Sequence, residues 1–196
     1  MPILKIARMG HPILKQRSKE VPDPTATDVA RLVSSMIETM NDAEGTGLAA
    51  PQVHMPWRIV VYKVMADRIR EEVSPQIINE EVPTTVLINP VIEPIGDETD
   101  VSFEACLSVP GMAGPVERFR RINLTYQNLD GEKLELLAEG FHARVIQHEC
   151  DHLDGILYPM RIEDLSQFGF VDELGKQQKN TEPQGTTSEE LDEDEV

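Results

Sequence analysis

Residues 140–155, which read GFHARVIQHECDHLDG, constrain the fold more than any other stretch of the chain. They predict a helix from about Gly140 to Leu153 that stops at Gly155, because glycine readily takes the left-handed conformation that closes a helix. Apolar residues along the segment indicate that the helix is largely buried (Phe141, Val145, Ile146 and Leu153). Two histidines and a glutamate on a buried helix need partners, and one metal ion would satisfy all three.

The polar residues of this helix have the spacing of a metal site. His148 and His152 are four residues apart and project from nearly the same direction, so both imidazoles can bind one ion. Glu149 directly follows the first histidine and can act as general base, as in metallohydrolases with an HExxH motif. The alternative is a surface helix with ordinary polar side chains, which the apolar neighbours disfavour.

A catalytic metal site normally has three protein ligands, and the spacing alone leaves the third one open. No histidine follows His152, although Glu163 and Glu173 remain formally available. Upstream, the thiol of Cys106 in EACLSVPG would suit zinc or ferrous iron. Cys150 lies two positions from each histidine, so we interpret it as a small apolar residue on the opposite side of the helix.

A second helix is predicted near the start of the chain. Apolar residues recur there with helical spacing (Val29, Leu32, Val33, Met36, Ile37 and Met40). We expect this helix to run from about Pro24 to Met40, with Asp23 as its N-cap.

Strands are predicted between and after the helices. Residues 57–64 favour a strand, as do residues 84–95 with an interruption at Pro90. An Asp-Gly pair within 122–140 predicts a β-hairpin. Residues 45–52 are rich in glycine and are expected to form a loop, as is the polar segment 65–83. The pattern indicates an α+β fold, with antiparallel β-sheets around a central helix that carries the HExxH motif.

The formal net charge of −17 argues against binding to nucleic acid, which needs a basic face. Much of this charge lies in residues 176–196, so we expect a single catalytic domain at 1–175 and an acidic, disordered tail at 176–196. No apolar run is long enough for a membrane span, and the N-terminal residues are interpreted as mature protein rather than a signal peptide. The two cysteines are therefore expected to be reduced thiols, in the cytoplasm.

Three short motifs occur together in the order and at roughly the separations found in one known family. The sequences GTGLAAPQ (45–52), EACLS (104–108) and HECDH (148–152) resemble the motifs of the peptide deformylase family. The resemblance covers roughly residues 4–165 and implies the peptide deformylase fold.

The resemblance also implies roles for individual residues. The metal ligands would be Cys106, His148 and His152. Glu149 would be the acid/base, while the side-chain amide of Gln52 and the backbone N–H of Leu107 would donate to the oxyanion. Substrate binding would involve a further set of residues (Gly45, Thr46, Gly47, Ala105, Phe141, Arg144 and Val145). Within this set, Phe141 and Val145 are candidates either for an apolar pocket wall or for simple core.

Three residues depart from the commonest pattern of the family. Ala105 replaces a usual glycine and requires an ordinary backbone conformation, and Thr46 stands where an aliphatic residue is commoner. At Arg144 the chain resembles the mitochondrial-type branch more than the commonest bacterial pattern. We hypothesise that Arg144 reaches the mouth of the substrate pocket and limits the depth of that pocket. The resemblance also implies an ion pair between Glu104 and Arg118, the alternative being two solvated surface charges.

The reaction implied is hydrolysis of the N-formyl group from N-formylmethionine of nascent polypeptides, with release of formate. The expected cofactor is Fe(2+), with zinc, nickel or cobalt as substitutes. The expected partners are formylated nascent peptides, with the ribosome as a candidate place of action, and the protein is expected to be a cytoplasmic monomer that binds no membrane. Another metal-dependent amidase or peptidase is the first alternative, and a catalytically silent deformylase-like binding module is the second.

Overall fold

The structure, a computed structural model, describes residues 2–65 and 81–181. The helices of these residues are α1 (Thr27–Asp42), α2 (Gly140–Leu153) and α3 (Val171–Thr181), together with short 3-10 helices such as Ala50–Val53. The strands of the same residues are β1 (Gly47–Ala49), β2 (Ile59–Val64), β3 (Val82–Pro94), β4 (Thr99–Cys106), β5 (Val109–Phe119), β6 (Arg121–Gln127), β7 (Lys133–Glu139) and β8 (Gly169–Phe170).

Five strands form one antiparallel sheet in the order β1-β2-β3-β6-β7. Successive side chains of a strand point to opposite faces, and β2 is buried on both. Val60 and Tyr62 belong to the apolar cluster that includes α2, whereas Ile59 and Val61 belong to the cluster that includes α1. The sheet therefore lies between the two helices, and α2 is the central helix that the sequence predicts.

The other sheet has the order β4-β5-β8 and brings the cysteine to the histidines. β4 and β5 pair in antiparallel register from Thr99↔Phe119 to Ala105↔Ala113, and the register shifts at Cys106, the last residue of β4. A third apolar cluster that includes Val116 of β5 and Tyr158 supports this hairpin. The α+β fold with antiparallel sheets is confirmed.

Helix α1 differs from its prediction at its N-terminus. It begins at Thr27 with Ala26 as N-cap, so the prediction of a start at Pro24 with Asp23 as N-cap is wrong. The Asp23 carboxylate instead accepts hydrogen bonds from the backbone N–H and the hydroxyl of Thr25. Such a local turn competes with helix formation at aspartate residues.

The predicted strands are present, and the irregular position lies where proline was expected to interrupt the pairing. β3 runs through Pro90, but its register against β6 shifts between Ile88 and Val91. Asn89 has a φ of 52°, and its side chain bonds the backbone of Val21 at both N–H and C=O. The hairpin predicted by the Asp-Gly pair is formed by β6 and β7.

Residues 45–52 are more ordered than their composition suggests, so the expectation of a loop is wrong for most of them. Gly47–Ala49 pairs with β2 as the edge strand β1, and the chain then enters the 3-10 helix Ala50–Val53. The partner strand decides this conformation, since three residues that include a glycine and an alanine have little strand preference of their own.

Two predicted segments lie mostly or partly outside the described residues. The polar segment expected to be a loop falls mainly in 66–80. Helix α3 continues to Thr181 and crosses the boundary predicted between residues 175 and 176, while the rest of the predicted tail, 182–196, is not described. Among the helices that are described, none combines the length and the apolar character that a bilayer crossing requires.

Candidate metal centre and active site

Three side chains from two elements bring their ligand atoms together. Cys106 ends β4, and His148 and His152 lie one turn apart on α2. One ligand atom from each residue lies within 4.8 Å of the other two, and Sγ of Cys106 is 3.3 Å from Nε2 of His152. The sequence left the third ligand open, and the structure places Cys106 beside the histidine pair.

The donor set fits a divalent cation. A thiolate with two imidazoles is a soft to borderline set, which suits ions such as zinc or ferrous iron. Burial lowers the pKa of His152 well below its ordinary value and so keeps this imidazole neutral, as a ligand must be. Burial also opposes a charge on His148, but hydrogen bonds to Cys106 and Glu104 raise the pKa of His148 well above its ordinary value. The surroundings of His148 therefore favour positive charge, which a bound cation would supply.

Glu149 lies in the same buried space and packs against the first glycine of β1. An ideal Cβ on Gly47 would be 2.3 Å from Oε1 of Glu149, so only glycine leaves room for this carboxylate. Oε2 of Glu149 is buried and has no hydrogen-bond partner among the described residues. Burial raises the pKa of Glu149 to about 7. A carboxyl group with this pKa can accept and return a proton near neutral pH.

Glu104 fixes the orientation of the first histidine. Its carboxylate lies 2.8 Å from Nδ1 of His148 and forms a bidentate pair with Arg118, at 3.0 and 2.9 Å. Burial opposes ionisation, but the hydrogen bonds from His148 and Arg118 hold the pKa of Glu104 well below its ordinary value. An ionised carboxylate only accepts, so a proton lies on Nδ1 of His148 and Nε2 is the nitrogen that can bind an ion. The predicted ion pair of Glu104 with Arg118 is confirmed and is buried.

Arg144 belongs to this buried network rather than to a pocket mouth, so the hypothesis that it limits pocket depth is wrong. Its guanidinium donates to Glu104 at 2.8 Å, to the carbonyl of Val116 at 2.8 Å and to that of Asp100 at 2.9 Å. Arg144 is one helical turn before His148 and 5% exposed. A guanidinium on this buried face of α2 needs acceptors, and the β4–β5 hairpin supplies them.

The aspartate of HECDH has a structural partner that the sequence did not reveal. Asp151 accepts hydrogen bonds from both Arg118 and Arg161. Arg118 thus links the carboxylate of Glu104 on β4 to that of Asp151 on α2. The aspartate inside the motif was the available signal, but nothing in the sequence indicated which arginine side chains it would pair with.

One of the two predicted oxyanion donors, Gln52, lies beside the sulfur of Cys106. Gln52 is 1% exposed, its Oε1 accepts from the backbone N–H of Ala49 at 2.8 Å, and its Nε2 lies 3.5 Å from Sγ of Cys106. The same Nε2 donates to Oγ of Ser108 at 3.1 Å. Leu107 follows Cys106 directly, and its side chain approaches the backbone at Gly45. Sequence reasoning missed Ser108, although this residue closes the EACLS motif.

The other residues assigned to substrate binding differ in their burial. Ala105 is exposed in extended β4, and its ordinary strand conformation agrees with the expectation for alanine at this position. Thr46 is half-buried, and its carbonyl accepts from Lys63 N–H. Val145 belongs to the apolar cluster between α2 and the five-stranded sheet, and Phe141 packs against that cluster. Their role as a pocket wall stays a prediction.

Comparisons with known proteins agree with this geometry. A family model described as Polypeptide deformylase matches residues 3–168. Peptide deformylase 1 of Prochlorococcus marinus (strain MIT 9313) is 44% identical over 174 residues, which cover 89% of this chain and 88% of the relative. Peptide deformylase 1 of Nitrosomonas europaea is 45% identical over 175 residues, which cover 88% of this chain and 94% of the relative.

Solved structures show the same similarity. The crystal structure of peptide deformylase from Thermotoga maritima has a TM-score of 0.73 and 37% identity, and the match covers 84% of this chain and 100% of that one. An actinonin-bound class I type b peptide deformylase from Acinetobacter baumannii has a TM-score of 0.72 and 34% identity, with 83% of this chain and 100% of that one covered.

Proposed function

Since this chain belongs to the polypeptide deformylase family, we propose that Cys106, His148 and His152 hold its metal ion and that Glu149 moves the proton in catalysis. The chain is a peptide deformylase, a metal-dependent hydrolase that removes the N-formyl group from N-formylmethionine of nascent polypeptides. The observation that carries the residue assignment is the convergence of one thiol and two imidazoles within 4.8 Å.

The resident ion is Fe(2+), with zinc, nickel or cobalt as substitutes. The resemblance to the family favours iron, and the thiolate with two imidazoles supports any of these ions. A bound divalent ion supplies Lewis acidity, which polarises a carbonyl oxygen and acidifies water. Protein purified with iron under anaerobic conditions should be active and should lose that activity in air. Full activity of the zinc form with none for the iron form would refute iron as the working ion.

Glu149 handles the proton that the reaction transfers. Water adds to the formyl carbon while the Glu149 carboxylate accepts one of its protons. The same proton then passes to the amine nitrogen as the C–N bond breaks, which gives formate and a free amine. The raised pKa of Glu149, about 7, suits both directions of transfer.

Gln52 and Leu107 stabilise the negative charge that develops on the formyl oxygen. The amide Nε2 of Gln52 lies beside Sγ of Cys106, and the backbone N–H of Leu107 follows that cysteine directly. Loss of one such donor typically costs about 3–4 kcal/mol of the barrier. The burial of Gln52 supports this role, because a buried donor that is already in position does not have to reorient when the negative charge develops.

The place of action follows from the substrate. Formylmethionine marks the start of new chains, so the protein acts in the cytoplasm on peptides near the ribosome. Its catalytic unit is one domain that works as a monomer. Light scattering of the active fraction tests the monomer, and co-sedimentation with translating ribosomes tests the association.

A formate-release assay on formyl-Met-Ala-Ser under anaerobic conditions, with metal analysis of the same sample, tests the activity and the residue roles together. Wild type should release one formate for each new amine. Cys106→Ala should lose both metal and turnover, and Glu149→Ala should keep the metal. Cleavage of internal peptide bonds without formate would instead select the alternative of a metal-dependent peptidase.

A further inference from the structure

The amide of Gln52 is held at both ends by groups of the protein. Its Oε1 accepts from the backbone N–H of Ala49 at 2.8 Å, and its Nε2 donates to Oγ of Ser108 at 3.1 Å. The Ala49 contact fixes which end of the amide is the oxygen, because a backbone N–H can only donate. Two hydrogen bonds at opposite ends determine the plane of the amide group.

One N–H of Gln52 faces the metal side of the centre, and this is the N–H that would turn to the formyl oxygen when substrate binds. An amide nitrogen has two hydrogens, and Ser108 takes one of them. The nitrogen also donates to Sγ of Cys106 over 3.5 Å, a long contact that directs its other hydrogen to the side of the predicted metal ligand. Without the Ser108 oxygen the amide would keep only the Ala49 contact and the long contact to Cys106 Sγ, so this second N–H would be less firmly directed.

The backbones of Gln52 and Ser108 are fixed independently of this side-chain contact. The N-terminal segment lies against both, with Ala7 N–H donating to the Gln52 carbonyl and Met9 N–H to the Ser108 carbonyl, each at 2.7 Å. Ser108 is 0% exposed, so its hydroxyl contacts protein groups rather than bulk water. Removal of that hydroxyl should therefore leave the two backbones in place and release only the amide.

We propose that Ser108 is a positioning residue for deformylation: its hydroxyl oxygen orients the Gln52 amide so that one N–H meets the developing oxyanion. This inference rests on the proposed function, and in particular on the donor role of Gln52. It assigns to the last residue of EACLS a task separate from metal binding.

A double-mutant cycle of Ser108→Ala and Gln52→Ala tests the proposal. Steady-state kinetics on formyl-Met-Ala-Ser, metal content and the melting temperature are measured for all four proteins. Ser108→Ala should lower kcat about tenfold, which is less than the roughly 100- to 1,000-fold cost of deleting an oxyanion donor. KM and metal content should not change, because the oriented N–H acts mainly in the transition state. In the Gln52→Ala background, Ser108→Ala should cause no further loss.

Ser35→Ala is the matched control. Ser35 is also buried, and its hydroxyl donates to the Arg31 carbonyl inside α1. This change also removes one buried serine hydroxyl, but it should leave kcat unchanged. Ser108→Thr keeps the oxygen and should have a kcat nearer to wild type than Ser108→Ala.

Each other outcome overturns a defined step. Equal losses from Ser108→Ala with and without Gln52 would show that Ser108 does not act through that amide, as would a wild-type kcat for Ser108→Ala. Loss of metal in Ser108→Ala would assign the residue to the structure of the centre instead. A normal rate in Gln52→Ala would remove the donor role and this proposal with it, whereas a wild-type iron form without formate release would overturn the proposed function itself.

Discussion

Replacing Gly47 with alanine tests the position of Glu149 without removing its carboxylate. An ideal Cβ at Gly47 would lie 2.3 Å from Oε1 of Glu149, 2.5 Å from its carboxylate carbon and 2.7 Å from Cγ. The optimal separation of nonbonded heavy atoms is about 3.5 Å, so the Glu149 carboxylate has to move by about 1 Å. Gly47 lies in strand β1 and is not one of the residues with positive φ, so its backbone accepts alanine.

The expected cost follows from this displacement. A misplacement of about 1 Å reduces the rate by about 100-fold, which corresponds to about 2.7 kcal/mol at 1.36 kcal/mol for each factor of ten. The three atoms nearest to the new methyl group all belong to Glu149 and none to a metal ligand, so the metal content should stay at the wild-type level. Overpacking of a buried site costs roughly 1–3 kcal/mol of folding stability, so the melting temperature should fall.

The assay is formate release by Gly47→Ala, with metal content and melting temperature measured on the same sample. Gly175→Ala is the matched control, because its Cβ would meet no atom within 4 Å. Gly175 lies in helix α3, so this change should leave the rate unaltered and stabilise the protein by about 0.5–1 kcal/mol. Glu149→Asp shortens the side chain by one methylene and should recover part of the rate in the Gly47→Ala background. A wild-type kcat/KM for Gly47→Ala would refute the placement of the base.

The remaining predictions concern the base, the metal ligands and the buried network. Glu149→Ala should retain the metal and lose about 100- to 10,000-fold in turnover, as expected for a general base. Cys106→Ser should bind less iron than wild type at equal chelator concentration, since a hydroxyl replaces a thiolate. The kcat/KM profile should fall as pH decreases through a pKa at or below about 7, because Glu149 must be ionised to act and the bound cation favours its ionised form; Glu149→Gln should lack this acid limb. Arg144→Leu should weaken metal binding by about 10- to 100-fold through Glu104, measured by chelator competition, and the preference for methionine should not change.

Local patterns predicted several elements well, because the forces that form them act between near neighbours. α2 has the bounds expected from its apolar spacing and the terminal glycine. The Asp-Gly pair fixed the turn between β6 and β7, since few residues accept the conformation of a tight hairpin. The start of α1 was placed too early, because the Asp23 side chain bonds Thr25 and forms a turn of its own.

Elements with weak local preference depended on their partners. Gly47–Ala49 is a strand only because it pairs with β2. Arg144 could not be placed from its helical position alone, since its acceptors come from Glu104, Val116 and Asp100, between 28 and 44 residues away in the sequence. Its burial therefore depends on where the β4–β5 hairpin packs against α2.

The sequence by itself determined the chemistry of the centre: the kinds of ligand, the spacing of the two imidazoles on one helix and the acid beside them. The tertiary structure decided what these groups meet. It brought Cys106 to the histidines, directed Glu104 to Nδ1 of His148 and set Ser108 against the amide of Gln52. A helix fixes the geometry of residues four apart through its own hydrogen bonds, whereas contacts between residues about 50 apart exist only after sheets and helices have packed.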